Sequence, residues 1–203
     1  MILLIRHALV DACGVFLAGR ASGIHLNAEG QQQAAALGDA LARVNLAAIF
    51  TSPLERTRET AGAVAGKTTP VIVDGDLNEV DFGEWTGLEF DQLNLREDWR
   101  AFNRSRSSAR IPGGEWMIDV QRRACRALTG IHRMHPDDNV AIISHADVLR
   151  VLIAQIIETP IDRIDHFAID PASISVLQPS WRGFQLTRLN CHAYRDHCCP
   201  AHH

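Results

Sequence analysis

The 203-residue sequence has no apolar run long enough to cross a bilayer. Its continuous apolar stretches, such as Met1 to Ile5 and Val140 to Ile143, fall far short of the roughly 20 residues a spanning helix needs. The N-terminal stretch ends at Arg6-His7 with no basic region before it, which is the wrong order for a secretory signal. The expectation is a cytoplasmic protein with no membrane partner. Broad positive charge is missing too: the formal net charge is -4, which argues against a nucleic-acid-coating protein. A few converging arginines can still form a positive pocket on an acidic chain, so an anionic substrate remains open. Paired cysteines are lacking as well. The five, Cys13, Cys125, Cys191, Cys198 and Cys199, are odd in number and three of them crowd the last thirteen residues, so they do not read as a disulfide framework. With His192, His197, His202 and His203 they make residues 191–203 a Cys/His-rich tail, which lacks the regular spacing of a closed zinc site. There is no internal repeat and no low-complexity linker. Composition is that of a globular chain, 46% hydrophobic and 22% charged.

What is present alternates between strands and helices. Met1 to Ile5 is a short apolar run expected to be buried on both faces. Asn27 can cap a helix running to about Val44, with Ala34, Leu37 and Leu41 on its apolar stripe. Ala47 to Thr51 reads as a second strand, Pro53 as the start of a second helix, and Val71 to Val73 as a third strand. Turn signals then loosen the pattern, and residues 84–114 are expected to form an insertion lying over the active site. A long helix is predicted from about Glu115 to Met134, a strand at Val140 to Ser144, and another helix after His145. Ser173 to Gln178 and Phe184 to Leu189 read as a final strand pair. The predicted fold is an α/β three-layer sandwich: a mostly parallel sheet, helices on both faces, and an antiparallel edge. Residues 1–190 are expected to form its single domain.

Active sites of such sheets lie at the carboxyl ends of the strands. Three strand ends here carry Arg6-His7, Ser52-Pro53-Leu54-Glu55-Arg56 and Ser144-His145-Ala146-Asp147. Two imidazoles and two guanidiniums would thus share one rim. Arginine's planar fork matches phosphate oxygens, an unprotonated histidine can attack phosphorus, and the helix after His145 would present free N–H groups to an anion. Each feature alone has a bland structural explanation. Their coincidence in three strand contexts points to phosphoryl transfer.

Ile5-Arg6-His7 after an N-terminal strand resembles the histidine phosphatase (phosphoglycerate mutase-like) superfamily. Leu26 to Gly30, Ser52-Pro53-Leu54 with Arg56-Thr57, Leu77-Asn78-Glu79 with Phe82-Gly83, Pro112-Gly113-Gly114-Glu115 and Ser144-His145 extend the match. The resemblance implies that His7 is the phosphorylated nucleophile and that Arg6, Arg56 and His145 hold the phosphoryl oxygens. It implies that Glu79 protonates the leaving alcohol and then activates water. Asp147 is an alternative proton donor, and Arg20 and Ala146 are nominated as substrate-binding residues. The sequence departs from the pattern at Ala8 and Ala146, where the family has glycine.

The resemblance further implies a small bacterial-type phosphatase that hydrolyses a small phosphomonoester. The alternatives are mutase-type phosphoryl transfer and a catalytically weak phosphate-binding domain. Arg96, Arg100, Arg104, Arg106 and Arg110 could face a polyanionic substrate, and Trp85, Trp99, Phe102 and Trp116 could line an apolar pocket or simply pack the core. No metal or cofactor is expected, because arginines and histidines supply the positive charge. Activity should therefore persist in EDTA. A homodimer is kept open.

Overall fold

The computed structural model describes residues 1–192. Residues 193–203, with most of the Cys/His-rich tail, lie outside the described residues. Among the described residues, six strands form one sheet in the order β3-β2-β4-β1-β5-β6. They are β1 (Ile2–Arg6), β2 (Leu46–Thr51), β3 (Val71–Val73), β4 (Asn139–Ser144), β5 (Ser173–Ser180) and β6 (Gly183–His192). The pairs β1–β4, β2–β4 and β2–β3 are parallel, while β1–β5 and β5–β6 are antiparallel, giving the expected edge.

The central strands read as unbroken apolar runs because both of their faces are covered. Ile2 and Leu4 of β1, with Val140 and Ile142 of β4, join one buried apolar cluster. Leu3 and Ile5, with Ala141 and Ile143, join the other. The second cluster lies under α1 (Ala28–Leu41) and α2 (Glu55–Ala65). The first lies under α5 (Met117–Met134) and α6 (Ala146–Ile156), together with the segment that holds α3 (Phe90–Leu95) and α4 (Glu97–Arg104).

Several boundaries differ from the sequence reading. Asn27 does cap α1, its side chain accepting the Gly30 N–H at 2.8 Å. The helix nevertheless stops at Leu41 rather than near Val44. The chain must turn to enter β2, and the N–H groups of Ala42 and Val44 close tight turns onto Asp39 and Leu41. Helix α2 begins at Glu55, not Pro53, because Leu54 is extended (φ -75°, ψ 149°) and its N–H is bound by Ser52 Oγ. The last strand runs past 190. Cys191 and His192 continue β6 and pair with Ile174 and Ser173, since the β5 ladder still offers partners there.

Two glycines make close approaches possible. A Cβ on Gly30 would sit 2.0 Å from the Leu9 carbonyl oxygen, so only glycine lets α1 start against the loop after β1. Gly83 (φ +48°) would place a Cβ 2.1 Å from the Pro112 oxygen, and its freedom brings the segments at 82–83 and 112–114 together. Trp85 and Phe102 are fully buried and pack the core; Trp99, nearly buried, packs against them and also lines a cavity, while Trp116 is exposed.

Candidate active site

His7 follows directly on β1, and its N–H continues the ladder by bonding to Ser144 O at 2.9 Å. The ring is buried, with Nδ1 2.7 Å from the Ala8 carbonyl oxygen. A carbonyl only accepts, so Nδ1 carries the proton and Nε2 keeps its lone pair. Burial first, then the charges of Arg6 and Arg56, hold the His7 pKa well below the ordinary value of 6.5. The ring is therefore neutral and nucleophilic at neutral pH.

Both guanidiniums are fixed by backbone carbonyls. Arg6 Nη1 donates to Ile169 O at 2.7 Å, and Arg56 Nη2 donates to Gly19 O at 2.7 Å. Arg56 is 1% exposed, yet among the described residues its Nη1 has no hydrogen-bond partner, and neither does the buried Arg6 Nε. Buried N–H groups are ordinarily paired, so these donors await an anion.

His145 precedes α6 and is fully buried, its ring centroid 5.2 Å from that of His7. Ser52 Oγ lies 2.8 Å from His145 Nε2 and also accepts the Leu54 N–H at 3.3 Å. The hydroxyl proton is thus directed to Nε2, which leaves Nδ1 as the protonated nitrogen. That Nδ1 is buried, has no hydrogen-bond partner among the described residues and sits 3.6 Å from Glu79 Oε2. Burial, then the charge of Arg56, depresses the His145 pKa well below 6.5, so it acts as a neutral donor.

Glu79 lies beyond the short turn of helix at Gly75–Leu77, and its Oε1 accepts the Val80 N–H at 2.9 Å. Burial first and then the negative charge of Asp147 raise its pKa to about 7, against the opposing pull of Arg56 and Arg6. Its loop is held from behind by Arg123 of α5. Arg123 Nη1 donates to Asp76 O and Asn78 O at 2.8 and 2.6 Å, and Nη2 to Glu79 O at 3.0 Å. Glu115 binds Arg123 Nε at 3.1 Å and accepts the Asp81 N–H at 3.0 Å, closing the network.

Arg6, His7, Arg56, Glu79 and Ala146 line one cavity of about 310 Å³, with Cys13, Trp99, Arg106, Asp147 and Arg150 among the other walls. His145 sits beneath it, its ring against His7. Arg20 is placed elsewhere. It does not line the cavity; its guanidinium is drawn to Glu115 at 2.9 Å and Asp81 at 3.6 Å, and its Nε donates to Glu79 O at 2.8 Å. It therefore braces the Glu79 loop. Of the five arginines between 96 and 110, only Arg106 reaches the cavity, and the other four are exposed. Ala8 does not reach it: its methyl is buried in the apolar cluster under α1 and α2. The sequence reading assigned no role to Ser52, Arg123, Glu115 or Arg150. Ser52 was discoverable as a hydroxyl at a strand end, whereas the others show no local signal.

A three-layer sandwich with two neutral imidazoles and two anion-seeking guanidiniums at or just past parallel strand ends, beside a carboxyl whose pKa is raised to about 7, defines a phosphoryl-handling enzyme. Residues 2–192 match the histidine phosphatase superfamily (branch 1), and the chain belongs to that family. Phosphoserine phosphatase 1 of Hydrogenobacter thermophilus is 29% identical over 94% of this chain and 93% of its own length. Adenosylcobalamin/alpha-ribazole phosphatase of Escherichia coli is 28% identical over 94% and 95%. Among solved structures, Bacillus stearothermophilus YhfR superposes with a TM-score of 0.89 at 28% identity, covering 95% of this chain and 98% of its own. The chain is an enzyme of phosphoric monoester hydrolysis, a phosphatase within this superfamily.

Proposed function

We propose that the enzyme cleaves its small phosphomonoester in two steps through a phosphohistidine on His7. His7 Nε2 attacks phosphorus as the P–O ester bond breaks, and Glu79 gives its proton to the departing alcohol oxygen. The Glu79 carboxylate then takes a proton from water, whose oxygen attacks phosphorus. The P–N bond breaks, inorganic phosphate leaves, and Glu79 is protonated again. Arg6, Arg56 and the His145 Nδ1–H hold the equatorial oxygens as charge shifts among them. The observation that carries this reading is the set of buried, unpartnered donors on Arg6, Arg56 and His145, gathered around a histidine whose Nε2 is free.

The same set disfavours a pure binding domain, which would have no use for a free nucleophile beside a carboxyl poised near pH 7. Water must reach the phosphoenzyme for hydrolysis, and the relatives that match over nine-tenths of both lengths carry phosphatase names. Mixing the enzyme with 32P-labelled substrate and quenching in base should trap a label that acid releases, as a phosphoramidate does. His7→Asn should trap none. An unlabelled native enzyme that still turns over, or a labelled His7→Asn, would refute the intermediate. Rapid formation of 2-phosphoglycerate from 3-phosphoglycerate with 2,3-bisphosphoglycerate would instead make it a mutase. We also place the enzyme in the cytoplasm, a reading supported by the unpaired thiols of Cys13, Cys125 and Cys191.

A further inference from the structure

Four guanidiniums line the cavity, and only Arg6 and Arg56 are accounted for by the phosphoryl group. The second pair comes from different elements, Arg106 from the segment after α4 and Arg150 from α6. The guanidiniums whose charge depresses the His7 pKa are Arg6 and Arg56.

One carboxylate serves both. Asp147 Oδ2 lies 3.6 Å from Arg106 Nη1, and Oδ1 lies 3.2 Å from Arg150 Nη1. Two positive charges against one negative leave a surplus of one. Among the described residues, Arg106 Nη1 and Arg150 Nε are buried with no hydrogen-bond partner, so donor capacity is also in surplus. Arg106 is moreover held in place: Nη2 donates to Asn103 Oδ1 at 2.7 Å, and the guanidinium lies over the Phe102 ring, 5.0 Å from its centroid. A fixed, half-buried guanidinium in a cavity wall is an anion site in search of an anion.

We propose that the substrate carries, besides its phosphoryl group, a carboxylate that Arg106 and Arg150 bind. This rests on the phosphatase reading above and names the substrate class: a short phosphorylated hydroxy acid. A monoanion matches the single surplus charge, which a second phosphoryl group, with about two charges, would exceed. The carboxylate plane also matches the guanidinium fork. A cavity of about 310 Å³ stands at the small end of ligand sites, and the walls at Val10, Leu17, Phe90 and Trp99 leave room for a short carbon chain.

The test compares 3-phosphoglycerate with glycerol phosphate, which has CH2OH in place of the carboxylate on the same three-carbon frame, with p-nitrophenyl phosphate as the common reference. The native enzyme should prefer the acid by about 10- to 100-fold in kcat/KM, the range for charge-assisted hydrogen bonds. Arg106→Gln and Arg150→Gln should each shrink that ratio at least severalfold. Equal rates on both three-carbon substrates, no action on either while p-nitrophenyl phosphate turns over, or a ratio unchanged in both variants would overturn the carboxylate site. Failure on p-nitrophenyl phosphate as well would instead bring down the phosphatase reading beneath it. The native ratio needs no variant, so misfolding of a substituted chain leaves the proposal decidable.

Discussion

Ser52 Oγ stands 2.8 Å from His145 Nε2, and this contact decides which nitrogen of a buried imidazole bears its proton. With the hydroxyl hydrogen committed to Nε2, the other nitrogen carries its N–H on the side of Glu79, whose Oε2 is 3.6 Å away, where a phosphoryl oxygen would accept it. Without Ser52 the proton can move to Nε2, and Nδ1 would then face the anion with a lone pair. Ser52→Ala should lower kcat by about 10- to 100-fold, approaching the loss from deleting an anion-hole donor outright. The 15N shifts of His145 read the tautomer directly. A Ser52→Ala enzyme that keeps both the Nδ1–H tautomer and the lowered kcat would show that the serine acts by another route.

Glu79 predicts the alkaline limb of the pH profile. It must be protonated when the ester bond breaks, and its pKa of about 7 means that the proton is lost as pH rises through neutrality. For an alkyl phosphate, kcat/KM should fall above about pH 7. Glu79→Gln should flatten the limb and cost about 10²- to 10³-fold. The loss should be far smaller with p-nitrophenyl phosphate, whose leaving group needs no proton. Asp147 supplies part of the upward shift, so Asp147→Asn should move the limb toward acid. Movement toward base would mean that another group sets it.

The sheet was legible because β1, β2 and β4 are apolar on both faces and end abruptly on polar residues, a pattern carried by the local sequence. Arg6, His7, Arg56 and His145 were legible for the same reason, since each stands at or just past such an end. The setting of Arg20 was not legible because the acid that binds it, Glu115, is 95 positions away and arrives only through folding. Arg106 could not be told from its four exposed neighbours, because what distinguishes it is the ring of Phe102 and the carboxylate of Asp147. Strand ends announce themselves in sequence, whereas partners assembled across the fold do not.

Arg123 is the support on which Glu79 depends. Its guanidinium holds three backbone carbonyls of that loop, at Asp76, Asn78 and Glu79, while Glu115 holds the guanidinium. Arg123→Met should destabilise the fold by about 3 kcal/mol, the low end for breaking a buried pair, because Glu115 keeps Arg20. Chemical denaturation measures this. The catalytic consequence is more specific: a displaced Glu79 should penalise alkyl phosphates more than p-nitrophenyl phosphate. An equal penalty on both would make Arg123 a stabilising residue without influence on proton transfer.

Ala8 occupies the position next to the nucleophile where the resemblance led us to expect glycine, and its effect should fall on stability rather than on turnover. Its methyl is buried among the apolar residues under α1 and α2, away from the cavity, and its φ is not positive. Its two backbone groups do the positioning: the carbonyl takes the His7 Nδ1 proton, and the N–H bonds to Thr60 Oγ1 at 3.0 Å. Glycine would keep both contacts while removing about 0.8 kcal/mol of buried methyl and adding about 0.5–1 kcal/mol of backbone entropy to the unfolded chain. Ala8→Gly should therefore lose about 1–2 kcal/mol in denaturant titration, with kcat within about twofold of the native value, well under one pKa-unit equivalent. A large gain in kcat would mean that the methyl hinders the phosphoryl group after all.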